Sequence, residues 1–120
     1  MEERMLERRW ERRLLCADLV QIEWNDQAGE TQAMTALLED ISRSGACLQT
    51  DSPVPVNARI RVHHGRKMLE ATVSYCSYHE IGYFAGITFS PEQPWSERMF
   101  RPKHLVDLAK LEVGPEAGSG

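Results

Sequence analysis

Two groups of polar residues have the types and spacing for ligand chemistry: an arginine cluster at the N-terminus and the hexapeptide Asp40-Ile41-Ser42-Arg43-Ser44-Gly45. The first thirteen residues hold five arginines (Arg4, Arg8, Arg9, Arg12 and Arg13) against four glutamates, and the whole chain has eleven arginines to three lysines. A guanidinium is a planar fork of donors that meets a phosphate, or the O6/N7 edge of guanine, with two parallel bonds; an ammonium cannot. Asp40 supplies the complementary acceptor, suited to the N1–H and N2–H2 donors of guanine. Ser42 offers a hydroxyl to a polar edge or a phosphate, and Gly45 permits a turn with positive φ. Together the two groups have the chemistry to hold a guanine nucleotide. Each alone also fits a structural role, since an Arg/Glu-rich terminus is usually a solvated segment and Asp-x-Ser-x-x-Gly between strands an Asx turn.

The elements that must position these groups follow from the apolar pattern. From Ala17 the period is two: Val20, Ile22 and Trp24 alternate with polar neighbours up to Asn25-Asp26 and Gly29. Met34, Ala36 and Leu38 continue the pattern to Asp40-Ile41, and Ala46 to Thr50 follows the Ser42–Gly45 turn. Arg59 to Val62, Met68 to Tyr78 and Tyr83 to Phe89 complete six strands, with His64-Gly65 as a hairpin tip. Short strands joined by Gly, Pro and Asp turns predict an all-β fold, a small antiparallel barrel or sandwich over 17–90. An arginine-rich arm of marginal order (1–16) precedes it. After Pro91 and Pro94 the spacing of Leu105, Leu108 and Leu111, with Ser96 as a cap and Pro102 at a helix start, predicts a helical extension over 91–113, either packed on the barrel as a lid or offering a docking face. The tail, 114–120, is expected to be disordered.

Composition narrows the function. The chain has 120 residues and a formal net charge of −4, which fits one domain and opposes nucleic-acid binding by the whole surface. No apolar run nears the ~20 residues of a membrane helix, and the charged N-terminus does not read as a secretory leader, so a cytoplasmic location is expected. Cys16, Cys47 and Cys76 form no CxxC pair and predict no disulfide framework. Neither they nor His63, His64, His79 and His104 have metal-ligand spacing, so no metal is expected. No G-x-S-x-G, catalytic cysteine context or phosphate-cradling glycine loop points to an enzyme.

Arg9-x-x-x-Arg13, followed twenty-seven residues later by Asp40-x-Ser42-x-x-Gly45, resembles the two-part signature of the PilZ domain family. Gly86-Ile87-Thr88-Phe89 is similar to the end of that family's last barrel strand, so the resemblance covers about residues 7 to 90. It implies a six-stranded antiparallel β-barrel of the PilZ-like, split-barrel type that binds the bacterial second messenger cyclic dimeric GMP (cyclic di-GMP) and performs no chemistry; no cofactor is expected, and the signal is expected to leave through a surface recognised by an unidentified protein effector. The implied ligand residues are Arg9 and Arg13, which grip guanine and phosphate, Asp40 and Ser42 on the barrel side, and Gly45 in the turn. Arg8, just ahead of the motif, leans toward a stacked ligand pair. The register Arg8-x-x-x-Arg12 satisfies the same spacing. The rival expectation is a protein of the same fold that has lost nucleotide binding and serves only as a protein-interaction module.

Overall fold

A computed structural model describes residues 11–107. Seven strands run in chain order: β1 (Leu14–Asn25), β2 (Thr31–Ile41), β3 (Gly45–Thr50), β4 (Arg59–His64), β5 (Lys67–His79), β6 (Gly82–Phe89) and the short β7 (Val106–Asp107). All pairings are antiparallel. The order β2-β3-β6-β5-β4-β1 is closed by β1 against β2, so the first six strands form a barrel and β7 adds to the start of β1. Closure leaves the six strands a common interior. Val20, Ile22 and Trp24 of β1, Leu48 of β3, Ile60 and Val62 of β4, Leu69 and Val73 of β5, and Ile87 of β6 fill it, all buried. Sequence alternation works here because one face of each strand meets this interior and the other meets solvent.

The turns carry their expected chemistry. Asp26 closes the β1–β2 connection by accepting the Ala28 and Glu30 N–H groups on Oδ1, each at 2.9 Å, while Gly29 takes φ +85°. Gly65, at φ +59°, turns the β4–β5 hairpin.

Two expectations of the organisation change. The barrel begins at Leu14 rather than Ala17, because the register of β1 against β2 slips between Leu15 and Asp18. The slip at Cys16-Ala17 interrupts the alternation that marks a strand in sequence. The second change is the C-terminal extension, where residues 91–107 hold no helix. A single turn at Ser96–Met99, closed by the Met99 N–H on the Ser96 carbonyl at 3.0 Å, stands where the capped helix is expected. Past Pro102 the backbone of His104 adopts φ +59°, a left-handed conformation through which a right-handed helix cannot run. The segment instead crosses the barrel extended. The Ala17 N–H reaches the Lys103 carbonyl at 3.0 Å, and β7 pairs Leu14 with Asp107 and Leu15 with Val106. Its apolar residues still cover the core: Trp95 is buried in it, and Met99, Phe100 and Leu105 pack against it. The lid therefore exists as coil and strand. Leu108 and Leu111, residues 1–10 of the predicted 1–16 arm and the tail at 114–120 lie outside the described residues.

Asp18 latches this lid. Its Oδ2 accepts the His64 Nε2–H at 2.7 Å and the Lys103 N–H at 3.1 Å, and the Phe100 ring stacks on His64 at 4.4 Å.

Candidate ligand-binding site

The site begins with a change of phase in β2. Ala36 and Leu38 face the core, and so does Ile41, an odd number of residues later. The register slip between Leu38 and Asp40 supplies the extra residue: Leu38 pairs with Leu48, Asp40 with Cys47 and Ile41 with Ala46. Without that bulge Asp40 would share the inward face of Leu38. With it, Asp40 turns to the outer wall, opposite Leu15 on one side and Cys47 on the other.

Arg13 stands immediately before β1, so the β1–β2 pairing carries it to Asp40. Its Nη2 donates to Asp40 Oδ2 at 2.7 Å. The arginine side chain is 44% exposed and the carboxylate only 11%. The other oxygen, Asp40 Oδ1, is buried and has no hydrogen-bond partner. Buried carboxylate oxygens are normally satisfied, so among the described residues this acceptor is an unmet polar demand.

The loop 42–45 is held from three sides. The Ser42 N–H donates to the Gly45 carbonyl at 2.8 Å, the Phe89 N–H to the Ser44 carbonyl at 2.7 Å, and the Trp95 N–H to the Arg43 carbonyl at 3.0 Å. Ser42 is fully buried, and its hydroxyl donates to the Gly45 carbonyl at 3.3 Å. Gly45 does not adopt the positive φ expected of it; it opens β3 opposite Thr88 with ordinary strand backbone. The turn is closed by hydrogen bonds rather than by a left-handed glycine.

Glu11 and Arg12 complete the flanking segment. Glu11 Oε1 accepts both the Ser44 hydroxyl, at 2.7 Å, and the Ser44 N–H, at 3.2 Å. Arg12 turns the other way, its Nε donating to Asp107 Oδ2 of β7 at 3.0 Å. Three consecutive residues thus tie the chain ahead of β1 to the loop, to the end of β2 and to the C-terminal strand. Of the residues expected to bind ligand, Arg13 and Asp40 meet side chain to side chain, and Ser42 and Gly45 form the adjoining turn. Arg8 and Arg9 lie outside the described residues. Sequence reasoning missed Glu11, Ser44 and the Arg12–Asp107 pair. Glu11 lies inside the arginine motif itself, but nothing local distinguishes it from the other glutamates nearby.

No protein-family model and no curated protein matches the chain.

The wall beyond Asp40 is shaped by one close approach. Across the sheet Asp40 is followed in register by Cys47, Gly86 and Tyr75. A methyl group on Gly86 would overlap the Tyr75 ring, at 2.1 Å from its nearest carbon, so the ring lies over the bare glycine backbone. Burial and the Asp40 charge push the Cys47 thiol up, against an opposing hydrogen bond from Tyr75. Burial, then Asp40, push Cys16 up to about 12. Both thiols are poor nucleophiles and report on the negative charge at the centre of this wall. Among the described residues no three His, Cys, Asp or Glu side chains converge as a metal site, and no helix is long and apolar enough to cross a membrane.

Proposed function

We propose that this chain is a cytoplasmic PilZ-type receptor for cyclic di-GMP, in which Arg9, Arg13 and Asp40 hold the dinucleotide on the outer barrel wall. The observation that carries the proposal is the buried, unpartnered Asp40 Oδ1 beside the Arg13 guanidinium. A guanine presents two adjacent N–H donors, which match an acceptor with one oxygen already engaged and one waiting. Arg13 is half exposed, so its fork can turn to a phosphate or to O6/N7, with a guanine N–H taking its place on Asp40 Oδ2. Ser42 and Gly45 shape the loop; direct contact by Ser42 requires its hydroxyl to leave the Gly45 carbonyl.

The same geometry supplies a route for the signal. The residues that would grip ligand continue into β1, and the start of β1 carries β7 and the Arg12–Asp107 pair. Reorganising Arg13 therefore loads the seam between the arm and the C-terminal strand, and a protein effector reading that seam senses occupancy.

The rival reading, a same-fold interaction module that binds no nucleotide, draws on the closed Ser42 hydroxyl. Calorimetric titration with cyclic di-GMP at moderate salt decides between them. The receptor reading expects micromolar or tighter binding, abolished in Arg13→Ala and Asp40→Ala. Arg13→Lys is expected to lose about tenfold, because charge persists while the planar fork does not. No heat at high ligand concentration, or full affinity in Arg13→Lys, contradicts the receptor reading.

A further inference from the structure

The loop 42–45 presents two donors that no part of the barrel satisfies, the N–H and the hydroxyl of Ser44, and both point to a single oxygen of Glu11. The loop does not need Glu11 for its shape. Its carbonyls are already fixed by the Gly45-to-Ser42 closure and by the Phe89 and Trp95 N–H groups. Glu11 itself belongs to no strand. A fixed pair of donors on barrel backbone, filled by an anionic oxygen from a flanking segment, has the composition of an anion site with an internal occupant. A cleft of about 320 Å³ adjoins it, lined by Glu11, Arg12, Arg43, Ser96 and Glu97 over an apolar floor of Leu14 and Trp95; Arg12 is held by Asp107 and Glu97 by Arg101. The cleft is roughly ten times the ~30 Å³ that one water occupies in the liquid, enough for a phosphate-class anion with its hydration.

We propose that Ser44, with the Arg43 side chain of the adjoining cleft, forms a phosphate-class anion site that the Glu11 carboxylate occupies in the resting protein. A phosphate oxygen takes over the two Ser44 donors as Glu11 swings out, and the Arg43 guanidinium balances part of its charge. Glu11 thereby sets the affinity of the site. If it fills the site about nine-tenths of the time, the apparent dissociation constant of any competing anion is raised about tenfold. The proposal stands beside the receptor reading rather than on it, because the donors and the cleft are defined without a nucleotide.

The test follows the Ser44 amide by NMR while inorganic diphosphate is added to the protein, to Glu11→Ala and to Glu11→Gln. Glu11→Ala is expected to bind diphosphate about tenfold more tightly, with the Ser44 amide among the resonances that move, and Glu11→Gln is expected to fall between. Adding Ser44→Ala to Glu11→Ala removes the gain. Equal affinity in the parent protein and Glu11→Ala overturns the proposal. So does a gain that survives Ser44→Ala, which marks a general charge effect, or a Ser44 amide indifferent to diphosphate in all variants. A parallel titration with cyclic di-GMP identifies the source of the phosphate. Tighter dinucleotide binding in Glu11→Ala assigns the site to that ligand. A response to diphosphate alone leaves the anion site standing while the receptor reading fails.

Discussion

Asp40→Ala is expected to leave the fold as stable as before, or more stable, while removing ligand binding. The Arg13–Asp40 pair has its arginine 44% exposed, so solvent screens it and it contributes about 0–1 kcal/mol. Against that stands Asp40 Oδ1, buried without a partner. Burying a polar atom unpaired costs about 1–3 kcal/mol, and the alanine removes that cost. The difference runs from neutral to about 3 kcal/mol of added stability. Urea unfolding measures it as a midpoint that stays or rises at constant slope. Thiol chemistry provides an internal control: burial and, after it, the Asp40 charge hold the Cys16 and Cys47 thiols up, so losing the charge should lower both in part and speed their reaction with a thiol reagent near pH 8. A cooperative transition destabilised by more than about 2 kcal/mol would refute the reasoning. It would make Asp40 a structural residue whose second oxygen is satisfied in solution, and remove the observation on which the receptor proposal stands.

Two further outcomes test the scaffold around the site. Burial raises the Asp18 carboxyl, but the bonds from His64, Lys103 and Leu19 outweigh it and leave the group below its ordinary value. Stability from this group is therefore present above the unfolded-chain value near pH 4 and is lost as pH falls through the lower folded value. Urea midpoints at pH 7, 4 and 3 should show a steep acid loss that flattens in Asp18→Asn, and an unchanged slope in that variant would exclude the latch as its source. Gly82→Ala should cost about 1–3 kcal/mol, because Gly82 sits at φ +139° and an added methyl would lie 2.8 Å from the Thr50 carbonyl oxygen; thermal melting reads this directly, and an unshifted melt would show that the β5–β6 hairpin relaxes freely.

Much of the barrel was legible before any coordinates. Alternation at Val20, Ile22 and Trp24, the breaks at Asp26-Gly29 and His64-Gly65, and the pairing of Arg9-x-x-x-Arg13 with Asp40-x-Ser42-x-x-Gly45 are local facts. They hold whatever lies across the sheet, because strand period and turn chemistry are properties of a few consecutive residues. Leu105 was legible in the same way as part of an apolar stripe.

What the tertiary structure decided is everything that depends on a neighbour. Whether Asp40 faces the core or the outer wall turns on a bulge against β3, and a one-residue slip inverts the answer. The same dependence sends Arg12 to β7 and Arg13 to Asp40, although the two are adjacent and identical. The apolar spacing after Pro94 served a helix and an extended lid equally well. The left-handed turn at His104 and the pairing of β7 with β1 selected the lid. Glu11 met Ser44 only because closing the barrel brought the chain ahead of β1 beside the β2–β3 loop. Local sequence specified which residues form strands and which polar groups are present; the closed hydrogen-bond register alone set the face and the partner of each, because orientation in a sheet is fixed by pairing between segments distant in the chain.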